Sequence, residues 1–138
     1  MDSKEKAIEL HKKGYNCSQS IVCAFADRTD MDERDLFRLA EGLGFGMAVK
    51  ETCGAISGVC LLVGAVNSDG DLEKPQSKKT TYKLCKAMMN EFKETVGSLN
   101  CAEIKGIAGG EVLKSCDGCI EEAAEILEKY LFAKETET

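Results

Sequence analysis

Residues 52–68 read TCGAISGVCLLVGAVNS, a run without a single charged side chain. At 17 residues it falls short of the roughly 20 that a membrane-spanning helix needs, and Lys50-Glu51 abut it directly. Gly54 and Gly58 are four apart. That spacing leaves one helix face without side chains and lets a second helix approach closely. The stretch predicts a buried core helix inside a bundle, with no stable membrane span.

The flanking sequence points to the same fold class. In residues 3–13, Ala7 and Leu10 share a face, and Gly14 supplies a left-handed cap. Asn16 is a good N-cap for a second helix from Cys17 to about Asp27, with Ile21, Val22, Ala24 and Phe25 as its apolar content. A third helix, capped by Thr29 or Asp30, carries Leu36, Leu39, Ala40 and Leu43. Gly42, Gly44 and Gly46 break it, with positive φ angles expected there. Ser68-Asp69-Gly70-Asp71 reads as a turn. A long helix follows from about Gln76 to Thr95, presenting Tyr82, Cys85, Met89, Phe92 and Val96, and Gly97 stops it. Asn100 caps a short helix over 101–105, and 106–110 is loop. The last helix runs from about Asp117 to Lys134, with Ile120, Ala123, Ala124, Leu127 and Leu131 inward and 135–138 left as a polar tail. No segment alternates apolar and polar residues cleanly, so no strand is expected, and no linker divides the chain. The expected architecture is all-α. It is a single cysteine-rich domain over residues 1–138, with five to seven helices around a central helix rich in small residues.

The chain has 138 residues, 43% of them hydrophobic, enough for one core. Its net charge of −6 argues against nucleic acid, which demands clustered Lys and Arg. The short basic runs, Lys12-Lys13 and Lys78-Lys79, read as solvated helix faces. Eight cysteines are the outlying number. The first 14 residues are charged and lack the apolar core of a secretory signal. That pattern leads us to expect a reducing, cytoplasmic compartment, where cysteines serve as packing residues, metal ligands or redox thiols.

Four cysteines fall at predicted helix starts: Cys17 after Asn16, Cys53 after Thr52, Cys101 after Asn100 and Cys116 after Ser115. Unpaired N–H groups and the positive end of the helix dipole stabilise a thiolate there. Cys23, Cys60 and Cys85 sit among apolar neighbours and read as packing residues. Cys119 completes Cys116-Asp117-Gly118-Cys119, a C-x-x-C at a helix start. That motif suits a redox dithiol or half of a zinc site, but the βαβ context of the first and the second C-x-x-C of the other are both missing. His11 is the only histidine and reads as a surface or boundary residue.

The string Cys53-Gly54-Ala55-Ile56-Ser57-Gly58, with Asn16-Cys17-Ser18-Gln19 and Gly44-Phe45-Gly46-Met47 before it, resembles the redox-active protein family named for the pattern C_GCAxxG_C_C. Gly97-Ser98-Leu99-Asn100-Cys101 and Cys116 ahead of Ala123-Ala124-Glu125-Ile126-Leu127 extend the resemblance to roughly residues 5–130. The resemblance implies four shared cysteines, here Cys17, Cys53, Cys101 and Cys116, and a redox role. No C-x-x-C-H follows, since Ile120 succeeds Cys119, so covalent haem is not expected.

Three functions stay open at this point. In the first, the four thiols exchange disulfides, Cys53 is the nucleophile and Cys17, Cys101 or Cys116 resolves. Gly54 and Gly58 then allow close approach, Cys119 is an accessory, and the other reactant is a redox partner or a small anionic substrate. In the second, the same four thiolates hold zinc or an iron–sulfur cluster. In the third, the thiols only pack the bundle, which binds a partner or a second copy of itself.

Overall fold

The computed structural model describes residues 2–107 and 109–132. Within them seven α-helices follow in order: α1 (Ser3–Lys13), α2 (Cys17–Ala24), α3 (Glu33–Ala40), α4 (Gly54–Asn67), α5 (Lys78–Val96), α6 (Cys101–Lys105) and α7 (Cys116–Tyr130). The fold is an all-α bundle. Among the described residues no helix is long and apolar enough to cross a membrane. An isolated antiparallel bridge joins Thr52 to Asn100.

The helix starts follow their caps. The Asn16 side chain accepts from Gln19 N at 2.8 Å, and the Gln19 side chain accepts from Asn16 N at 3.0 Å. This reciprocal box fixes the start of α2 at Cys17. Asn100 and Ser115 cap α6 and α7 in the simpler way, accepting from Glu103 N and Gly118 N. The third cap differs from expectation. Asp32, rather than Thr29 or Asp30, accepts from Arg34 N and Asp35 N, because the Thr29 hydroxyl is engaged with Ala26 O.

Two helices form the centre. Every residue of α2 from Ser18 to Ala24 is buried, and α4 packs directly against it. A Cβ at Gly58 would sit 3.1 Å from Ser18 O and 3.3 Å from Ile21 Cβ. One at Gly54 would sit 3.1 Å from Gly44 Cα. Gly58 is therefore what lets α4 meet the α2 backbone, and Gly54 lets the start of α4 meet the segment at Leu43 and Gly44. The surrounding helices add Leu36, Met88, Phe92, Ile120 and Leu127 to one hydrophobic cluster. Phe25 stacks on Phe132 with ring centroids 5.3 Å apart.

Some expected core positions turn outward. Leu39 is 57% exposed, since the two-turn α3 buries only Leu36 and Ala40. Tyr82 is 65% exposed, and Met88 fills the core instead. Tyr82 lies near the end of the α4–α5 pair, where Asn67 Nδ2 donates to Thr81 Oγ1 rather than to an apolar contact. Helix α7 ends at Tyr130. Lys134 and the tail 135–138 lie outside the described residues.

Candidate functional site: a cysteine-lined cavity

The helix starts converge. Cys17 opens α2, and Asn16 before it is also anchored through Nδ2, which donates to Glu41 O at 2.9 Å. Cys53 immediately precedes α4, and Cys101 opens α6. The segments entering those two helices are zipped by Cys53 N donating to Leu99 O at 2.8 Å and Cys101 N donating to Glu51 O at 2.5 Å. Cys116 and Cys119 occupy the first turn of α7. The His11 Nδ1–H donates to Asp117 Oδ1 at 2.8 Å, fastening α1 to that turn.

The result is one cavity lined by Cys17, Cys53, Cys101, Cys116 and Cys119, with Phe45, Gly54, Lys105 and Lys114 among its walls. Its volume is about 10 Å³, room for roughly one water molecule. Cys53, Cys101 and Cys119 are buried there, whereas Cys17 and Cys116 keep partial exposure. Gly58 lies outside this lining and serves the contact between α2 and α4.

Two sulfur pairs stand out electrostatically. Cys17 is hydrogen-bonded to Cys116, and Cys53 to Cys119. In each pair one sulfur keeps the proton and donates it to the other. Cys116 is lowered from an ordinary 9.0 to about 5, first by the Cys17 bond and then by Lys105, with a further contribution from His11, all against the opposing effect of burial. Cys53 is lowered to about 7, first by Cys119 and then, against burial, by the Ala55 and Ile56 amides at the start of α4. Cys17 and Cys119, the donors, are pushed far up by those same bonds and by desolvation. Lys105 is partly desolvated, which opposes its charge, yet its bond to Cys116 and the surrounding sulfurs raise its pKa.

Helix-start amides thus lower Cys53, whereas Cys116 is lowered by Cys17, Lys105 and His11, and Cys17 and Cys101 are raised. Cys17 is the proton donor of its pair. Cys101 is 4% exposed, and burial raises its pKa. Its helix has only five residues, too short to build a strong dipole.

One wall is an unusual turn. Phe45, Gly46, Met47, Ala48 and Lys50 all have positive φ, between 54° and 69°. The sequence placed such angles at the glycines, yet four of these five residues carry a side chain. Each non-glycine residue held left-handed costs about 1–2 kcal/mol. The turn is closed by Glu51 N donating to Gly46 O at 2.9 Å. A Cβ at Gly46 would lie 2.8 Å from Cys101 Cβ, so glycine is required where the turn meets the site. Phe45 sits at the cavity with Lys105 Nζ 4.8 Å and Lys50 Nζ 5.9 Å from its ring centroid.

Residues 15–130, well over half of the chain, match the model of a family described as "putative redox-active protein (C_GCAxxG_C_C)". The chain belongs to this family. In the family's name the glycine precedes the cysteine of the central motif, whereas here Cys53 precedes Gly54. No curated protein and no solved structure matches the chain.

The sequence marks Cys119 as an accessory and His11 as a surface or boundary residue. The structure puts Cys119 in the cavity beside Cys53, and His11 half-buried against the turn that carries Cys116. Lys105 was not singled out, and no motif marks it. Cys23 is fully buried, as a packing residue should be. Among the described residues, no group of three or more His, Cys, Asp or Glu is arranged to hold a metal ion.

Proposed function

We propose that the protein is a thiol–disulfide exchange protein whose working dithiol is Cys17 with Cys116, backed by Cys53 with Cys119. The observation that carries this reading is the convergence of Cys17, Cys53, Cys101, Cys116 and Cys119 on one cavity with Lys105 in its wall; the lowered pKa of Cys116 and Cys53 beside raised partners agrees with it. A thiolate is the attacking form, and a neighbouring thiol is what resolves the mixed disulfide.

In this mechanism the Cys116 thiolate attacks one sulfur of a substrate disulfide and expels the other as a thiolate. The thiol of Cys17 loses its proton to that leaving group and attacks the Cys116 sulfur. The second substrate thiolate leaves and takes up a proton from solvent. Two protein thiols have become one disulfide, and one substrate disulfide has become two thiols. Lys105 holds the Cys116 charge before attack. Cys116 is favoured over Cys53 as nucleophile because it is only partly buried, whereas Cys53 is 6% exposed.

Thiol counting on protein purified without oxygen tests this reading. The free-thiol count of the cavity cysteines should fall by two or four on mild oxidation and recover fully on reduction, without stoichiometric metal. Zinc or iron bound at one or more per chain, together with thiols that resist oxidation until the metal is removed, would overturn it in favour of a metal centre.

A further inference from the structure

Two more cysteines meet outside the cavity. Cys60 lies on α4, seven residues after Cys53 and so about 10 Å further along the helix. Cys85 lies on α5. The Asn67–Thr81 bond of 3.0 Å ties the end of α4 to the start of α5, so the two helices run antiparallel. Seven residues back along α4 and four forward along α5 from this anchor are Cys60 and Cys85, level to within one turn. Their side chains interact, and both are half-buried free thiols. A residue kept only for packing needs neither the facing sulfur nor the partial exposure.

We propose that Cys60 and Cys85 form a second redox site, a dithiol that closes to a disulfide linking α4 to α5 independently of the cavity. The oxidant is a small-molecule disulfide. The Cys85 thiolate attacks one of its sulfurs, forms a mixed disulfide and releases a thiolate. Cys60 gives its proton to that thiolate and attacks the Cys85 sulfur, expelling the second thiolate, which takes the proton Cys85 gave up. One disulfide has formed in the protein and one has been reduced to two thiols. Burial, with the adjacent Cys85, pushes the Cys60 thiol up to about 12. Cys60 therefore gives up its proton reluctantly near neutral pH, so its attack on the mixed disulfide is slow and accelerates with pH. The bond would enclose the α4–α5 connection and clamp α5 onto the helix that carries Cys53 at its start.

Reduced protein held with oxidised glutathione, then alkylated and digested with trypsin without reductant, tests the proposal. With Cys53→Ser, Cys60 is the only cysteine between Lys50 and Lys78, and Leu84-Cys85-Lys86 holds the other sulfur. A linked pair of these two peptides is expected, forming faster as pH rises. In the chain with its cavity intact, Cys60→Ser should abolish that link. Folded protein in which Cys60 and Cys85 are recovered alkylated, or separately glutathionylated without joining, would overturn the proposal. Neither result depends on whether the cavity thiols exchange disulfides.

Discussion

The Cys17 thiol donates to Cys116, and that bond, together with Lys105, makes Cys116 the most acidic sulfur in the cavity, at about 5. At neutral pH, Cys116 is then almost entirely thiolate, whereas an ordinary cysteine is only a few per cent ionised. Cys53 is lowered less, to about 7.

Alkylation should report this order. At pH 6, iodoacetamide should modify Cys116 ahead of every other cysteine, with a rate that falls only as pH drops through about 5. Lys105→Gln should move that inflection up by roughly 1–3 pH units, since a nearby positive charge shifts a pKa by that much. Mass mapping of alkylated peptides across a pH series reads both effects.

Stability of the reduced protein should be bell-shaped in pH. Cys116 and Cys53 have folded values below 9.0, so their contribution is complete above that value and fades as pH falls through about 7 and then about 5. Cys17 and Cys119 are raised, so their contribution is complete below 9.0 and fades at higher pH. Tm should therefore rise from pH 5 toward 9 and fall beyond it. Cys116→Ser should flatten the acid limb in a thermal melt series.

Gly58 is a packing requirement. Gly58→Val places side-chain carbon against Ser18 O and Ile21, already 3.1 Å and 3.3 Å from a bare Cβ. It should cost about 1–3 kcal/mol, the usual range for overpacking a core. Urea unfolding measures this directly, and an unchanged midpoint would show that α2 and α4 can separate freely.

Ser18 and Ser20 make a matched pair on α2. Both are fully buried, but among the described residues the Ser18 hydroxyl has no partner, while Ser20 Oγ donates to Asn16 O at 2.8 Å. An unsatisfied buried hydroxyl costs about 1–3 kcal/mol. Ser18→Ala should leave stability unchanged or raise it by up to about 1 kcal/mol, and Ser20→Ala should lower it by about 1 kcal/mol. The same unfolding measurement compares them.

The fold was legible wherever local chemistry decides it. Asn16, Asn100, Gly14 and Gly97 mark helix ends on their own, and the structure puts those ends where the sequence did. The uncharged stretch around Gly54 and Gly58 foretold a core helix because an apolar helix with two bare positions must be buried against something close. Failures came where distant contacts decide. Leu39 and Tyr82 have the periodicity of core residues but lack a neighbour to cover them. The left-handed turn from Phe45 is imposed by closure onto Glu51 and Cys101 and overrides the preference of its own residues. At the site, helix-start placement found four of the five cavity cysteines. It could not assign partners, because Cys116 and Cys119, three apart in sequence, pair with sulfurs from α2 and from the start of α4 rather than with each other. The sharing of a proton between two sulfurs, which shifts Cys17, Cys53, Cys116 and Cys119, has no signature in the chain.

The pairing is also where the account is most exposed. Mild oxidation of the reduced protein, followed by non-reducing digestion and fragmentation of the linked peptides, identifies the cavity disulfides. Cys17 joined to Cys116, and Cys53 joined to Cys119, are the expected pairs. A disulfide within Cys116-Asp117-Gly118-Cys119, or a cavity that stays fully reduced while other cysteines oxidise, would contradict it.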